Sequence, residues 1–106
     1  MVSNSFRFTQ KARDDLDETI EYIIKVIGDI NAAYNLIADL EKRLETITSF
    51  PESCPVVENK FIKNTATRKA NVKSYIMYYA YDKDKNEIVI LRFIYGKREL
   101  DRILEG

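Results

Sequence analysis

"VKSYIMYYAYDKDKNEIVILRFIYGKREL", Val72–Leu100, is the stretch that decides the fold. Two β-forming runs, "SYIMYYAYD" and "EIVILRFIY", meet at the polar turn "DKDKN" and read as an antiparallel hairpin. The stretch holds five of the seven tyrosines and closes on Gly96-Lys97-Arg98. Residues two apart share a face of a strand, so Tyr75, Met77, Tyr79 and Tyr81 look one way and Ile76, Tyr78 and Ala80 the other. About half of the tyrosines should then be core or rim, and the rest should line a surface. Upstream, "TRKANV" reads as a further short strand.

Working outward, the N-terminal half has the helical period. Ala12, Leu16, Ile20, Ile23 and Ile27 fall on one face, with Thr9 as N-cap and Gly28 as terminator. Asp14, Asp15, Asp17, Glu18 and Glu21 lie mostly off that face and read as solvated partners of the helix dipole. Asp29 caps a second helix, whose stripe Ala33, Ile37, Leu40, Leu44 and Ile47 runs to Phe50-Pro51. "SFRFT" alternates as a first strand. "FPESCPVVENKFIKNTAT" reads as a long loop with a helical turn near 59–63, and "KRELDRILEG" as a terminal helix. The order is β-α-α-β-β-β-α. This is an α+β fold in which a helical hairpin packs on one face of an antiparallel sheet. The other face is expected to stay open, bordered by cations.

The chain of 106 residues is long enough for one core and reads as one domain, 1–106. Hydrophobic residues make up 45% and charged residues 32%, a globular balance. No apolar run reaches membrane-spanning length, and the first 15 residues lack an apolar signal region. One cysteine, Cys54, makes no disulfide framework, which fits a cytoplasmic protein. The net charge of zero hides an imbalance of −3 over residues 1–50 and +3 over 51–106. Lys60, Lys63, Arg68, Lys69 and Lys73 succeed one another without an acid, which makes an anion-binding surface or a lysine-guarded edge strand.

The absence of histidine excludes histidine triads, bases and metal sites, and three glycines make no phosphate loop. No cofactor or metal is expected. What remains is cations and tyrosines: Arg68, Lys69, Lys73, Tyr75, Tyr79, Arg92, Tyr95, Lys97 and Arg98. Guanidinium forks match phosphate oxygens, and tyrosine rings stack on bases. Converging on one face, such groups suit RNA or another anionic partner. They could also support 2′-hydroxyl attack on a phosphate, provided cations lower a tyrosine's pKa from about 10.

The order and spacing of "FTQKARDDLDETIEYI", "LEKRLETITSFPESCPVV" and "RKANVKSYIMYYAYDKDKNEIVILRFIYGKREL" resemble the RelE/ParE superfamily of bacterial toxins from type II toxin–antitoxin modules, of the plasmid-stabilisation type. The last strand is closer to the ParE side. The resemblance implies growth inhibition through a core target such as DNA gyrase, under restraint by a cognate antitoxin. It implies no membrane association, and it is compatible with a homodimer or a toxin–antitoxin hetero-oligomer. Antitoxin contacts would use strand addition or a helix in a groove on the sheet and helical hairpin. The alternatives are a ribosome-dependent, metal-independent mRNA endoribonuclease and a degenerate, non-toxic member. For a nuclease, the resemblance implies catalytic roles for Arg98 and Lys69, with Tyr79 or Tyr75 standing in for the family's tyrosine nearer the C-terminus. Tyr75 stands where nucleases of the family place an arginine, and no tyrosine follows Tyr95. Arg68, Lys73, Tyr75, Arg92, Tyr95 and Lys97 are the residues expected to bind the target or RNA.

Overall fold

The computed structural model describes residues 4–57 and 66–97. Strand β1 (Ser5–Phe8) leads into helix α1 (Gln10–Tyr22), which a π-helical turn over Ile23–Ile27 prolongs, and then into helix α2 (Ile30–Ser49). Strands β2 (Val56–Val57), β3 (Thr67–Val72), β4 (Tyr75–Asp82) and β5 (Glu87–Tyr95) follow. They form one sheet in the order β1-β5-β4-β3-β2. The architecture is α+β, and β3, β4 and β5 lie where the two-residue period places them. Two features depart from the expectation of four antiparallel strands. β1 runs parallel to β5, and Val56–Val57, inside the expected loop, pairs antiparallel with β3. The terminal helix and the helical turn near 59–63 lie outside the described residues.

The caps set the helices as their sequences require. Thr9 is extended and its hydroxyl accepts from the Ala12 N–H, while Asp29 accepts from the Ala32 N–H. Gly28 sits at φ 76°, in the left-handed region that a side chain would resist, and turns the chain between the helices. The first turn of α1 holds Lys11 and Arg13, so the acids begin one turn later, where the helix dipole has little hold on them. The π-helical turn winds more slowly than an α-helix and shifts the phase of the apolar stripe. Ile23 therefore stays buried, but Ile27, expected on the same stripe, is 58% exposed.

Both helices cover one face of the sheet. Ala12, Ile23, Leu36, Leu40, Leu44 and Ile47 pack against Ala70, Val72, Met77, Tyr79, Ile88, Ile90 and Phe93. The predicted parity of β4 holds, with Tyr75, Met77, Tyr79 and Tyr81 on the helix side. The opposite face is not open as expected. Tyr78, Ala80, Val89, Leu91 and Ile94 form a second buried cluster, with Ile76 and Val57 partly buried against it. The near-continuous apolarity of β4 and β5 is the sequence mark of a strand buried on both sides. Opposite Tyr78 and Tyr79 the pairing slips by one residue, so Arg92 faces Tyr78 and Ile90 faces Tyr79. This bulge lets β5 switch alternation and still present both Ile90 and Phe93 to the helices.

Candidate functional site

The candidate residues distribute over three places. At the Pro51 end of the sheet, Tyr79 is fully buried and its hydroxyl donates to the Pro51 carbonyl at 2.8 Å. Burial disfavours the phenolate and pushes the pKa above the ordinary tyrosine value of about 10. The expected acid–base role would need the opposite shift and an exposed hydroxyl, so this ring is a core residue with a satisfied polar tip. Arg68, directly across from Tyr79, faces the same side. Its Nη1 donates to the carbonyls of Cys54 (2.7 Å) and Glu52 (3.2 Å), and its Nη2 lies 3.6 Å from the Glu52 carboxylate. The arginine thus fastens the segment after α2 onto β3.

The second place is the outer part of β3. Lys69 pairs across from Tyr78 on the opposite face from Arg68 and is exposed. Lys73, at φ 53° in the turn between β3 and β4, pairs with Asp39 of α2 at 2.9 Å. Arg68 and Lys69 therefore belong to opposite surfaces, as strand alternation demands. Lys97 is exposed beyond β5. Arg98 lies outside the described residues.

The third place gathers Tyr75, Arg92 and Tyr95. β1 stops pairing with β5 at Ile90, where the Thr9 N–H donates to the Ile90 carbonyl. Asp15 of α1 then takes over the strand edge. Its Oδ2 accepts from the Phe93 backbone N–H (3.0 Å) and from Arg92 Nε (2.7 Å), and its Oδ1 accepts from Arg92 Nη2 (3.1 Å). One carboxylate thus satisfies an edge donor and makes a bidentate pair with the arginine beside the bulge. Beside it, Tyr75 stacks on Phe93 (centroids 5.1 Å, 13°) and tilts against Tyr95 (5.5 Å, 58°). These groups wall a cavity of about 600 Å³ between α1 and the ends of β4 and β5. A separate groove of about 580 Å³ runs between the helices, over Leu16, Ile20, Ile24, Ile37 and Leu40.

Of the predicted residues, the structure brings together Tyr75, Arg92 and Tyr95, and separately Arg68 and Tyr79. It does not bring Lys69 or Lys73 to either group. Sequence reasoning missed Asp15, Asp39 and Glu52, the acids that hold three of the candidate cations. Nothing in the local pattern marks them, because their partners lie across the fold: Arg92 is 77 residues from Asp15. Among the described residues, no group of acids or cysteine is placed to hold a metal ion, and no helix is long and apolar enough to cross a membrane.

The comparisons with known proteins agree with this fold. Residues 6–100 match the family model described as ParE toxin of type II toxin–antitoxin system, parDE. No curated protein matches the sequence. Among solved structures, the chain is similar to one of the chromosomal ParDE toxin–antitoxin system from P. aeruginosa. The TM-score is 0.63 at 18% identity, over 88% of this chain and 96% of that one. It is also similar to a chain of the RelBE2 toxin–antitoxin complex from Mycobacterium tuberculosis (TM-score 0.59, 20% identity, covering 89% and 99%). A third is in the archaeal RelE–RelB complex from Pyrococcus horikoshii OT3 (TM-score 0.59, 11% identity, covering 92% and 99%). At these identities the structures share a fold with this chain.

Proposed function

The chain belongs to the ParE toxin family of type II toxin–antitoxin systems, and from that membership we propose that it arrests growth by binding DNA gyrase, while a cognate antitoxin holds it inactive. One observation carries the choice of a binding toxin over an RNA-cleaving one: among the described residues, the candidate catalytic groups Tyr79 and Lys69 do not converge. Tyr79 is fully buried and bonded to Pro51, and Lys69 lies on the opposite face of the sheet. Arg68, Lys73 and Arg92 are held by Glu52, Asp39 and Asp15. Cleavage would require positioned groups around one phosphate, and cations already neutralised by carboxylates offer it little stabilisation.

The groove between α1 and α2 supports the antitoxin part of this reading. Its floor is aliphatic, and Asp17, Glu21 and Lys25 stand on its rim. An amphipathic helix with apolar residues at i, i+3, i+4 and i+7 would fill it.

The test is induced expression without antitoxin, with DNA and protein synthesis followed by separate pulse labels. The expected result is an early fall in DNA synthesis with translation intact, and inhibition of purified gyrase in a supercoiling assay. An early fall in translation, with messages cut in the ribosome, would overturn the gyrase reading in favour of an endoribonuclease. Unhindered growth would overturn both.

A further inference from the structure

We propose that the cavity between α1 and the ends of β4 and β5 receives a cationic side chain, an arginine or lysine, from a basic segment of a partner protein. The inference is independent of which target the toxin inhibits. Asp15, Glu18, Thr19 and Tyr22 occupy positions i, i+3, i+4 and i+7 of α1, so a single flank of the helix supplies one wall. Tyr75 and Tyr95, adjacent across the β4–β5 ladder, supply the other. The cavity of about 600 Å³ is within the range of small-ligand sites, and its lining mixes aromatic rings with a few charges.

The charges decide the sign of the ligand. Arg92 is the one cation among the described lining residues, and the Asp15 carboxylate holds its Nε and an Nη in a bidentate grip. That pair is internally neutral. Glu18 adds an exposed carboxylate that makes no ion pair among the described residues, so the described lining carries a net charge of −1. An anion entering here would meet Glu18 and would compete with Asp15 for Arg92. A cation would meet Glu18 and the electron-rich faces of tyrosines. Tyr22 and Tyr95 keep 53% and 41% of their surface exposed, large values for aromatic groups, and both border this cavity. Aromatic faces attract ammonium and guanidinium groups, and a planar guanidinium also stacks on them. Guanidinium therefore fits better than ammonium.

The probe is the tripeptide acetyl-Gly-Arg-Gly-amide, titrated into the full chain carrying isotope-labelled tyrosine, with the ring resonances read by NMR. A saturable shift of the Tyr22 and Tyr95 resonances is expected, with the uncharged citrulline peptide binding at least tenfold more weakly. Glu18→Gln and Tyr95→Leu, both at exposed positions, should each weaken binding by roughly three- to tenfold. Equal response to the citrulline peptide, unchanged affinity in both variants, or no saturation by about 50 mM peptide would overturn the proposal. Putrescine, a cation without a peptide, separates the two sources of such a group. Tighter binding of putrescine than of the arginine peptide would assign the site to a free diamine and overturn the partner-protein reading.

Discussion

Replacing Asp15 with alanine removes the acceptor of three hydrogen bonds at once, two from Arg92 and one from the Phe93 backbone. Cutting one member of a fully buried ion pair costs about 3–5 kcal/mol, because the partner charge is left behind. Here the Asp15 side chain retains 14% exposure and that of Arg92 24%, so water reaches the guanidinium and lowers the cost. The Phe93 N–H contributes on the order of 1 kcal/mol as a lost bond at an uncovered strand edge. Together these give about 2–3 kcal/mol for Asp15→Ala. For a domain of this size that is a fall in Tm of about 10–20 °C. The assay is urea unfolding followed by far-ultraviolet circular dichroism, since the chain has no tryptophan. A double-mutant cycle with Arg92→Ala separates the parts. Asp15→Ala should still cost about 1 kcal/mol in the Arg92→Ala background, where only the Phe93 bond remains to lose, and the coupling should be about 1–2 kcal/mol. A cost below about 0.5 kcal/mol for the single variant, or strict additivity, would refute the claim that this carboxylate closes the strand edge and fixes Arg92.

Tyr79→Phe should cost about 1 kcal/mol at neutral pH, the worth of its bond to Pro51, and chemical denaturation would measure it. The same residue contributes an alkaline dependence. Its folded pKa is raised, so stability is intact below the unfolded value of about 10 and falls as the pH rises above it. The phenylalanine variant should lose that part of the alkaline decline, and an unchanged profile would contradict the burial argument. Ile47→Ala, at a fully buried position under the sheet, should cost about 3 kcal/mol by the same denaturation assay. At Gly96, a Cβ would sit 2.9 Å from the Ser74 carbonyl oxygen, and the Gly96 N–H donates to that same oxygen. Gly96→Ala should therefore destabilise by about 1–2 kcal/mol, visible as a lowered Tm.

Much of the fold was legible because its signals are local. Thr9, Gly28 and Asp29 act within a turn of themselves, and each does what its position predicted. Parity told which residues of β4 share a face, but not which face meets the helices, and it did not reveal that Tyr78, on the opposite face, is buried as well. The parallel pairing of β1 was not legible, because four residues carry no information about the direction of their neighbour. The two-residue β2 was too short for any period to declare it. The candidate site was the least legible part. The sequence marks cations by type, but whether a cation is available depends on acids far along the chain, as with Lys73 and Asp39. Tyrosines likewise look alike until burial separates Tyr79, fully enclosed, from Tyr95 at the rim.

The parallel seam between β1 and β5 also has a consequence for how the chain is made. Ser5 faces Glu87 and Phe8 faces Ile90, so β1 waits until β5 has been made before it has that partner. The hydroxyl of Thr9 and the carboxylate of Asp15 are likewise answered by Leu91, Arg92 and Phe93. A nascent chain interrupted before β5 leaves α1 with little to rest on. Contacts of such long separation also slow folding, because the chain must close a long loop before they form. The sheet is therefore completed only after β5 has been made, and the surfaces that β5 helps to build form later than the helices.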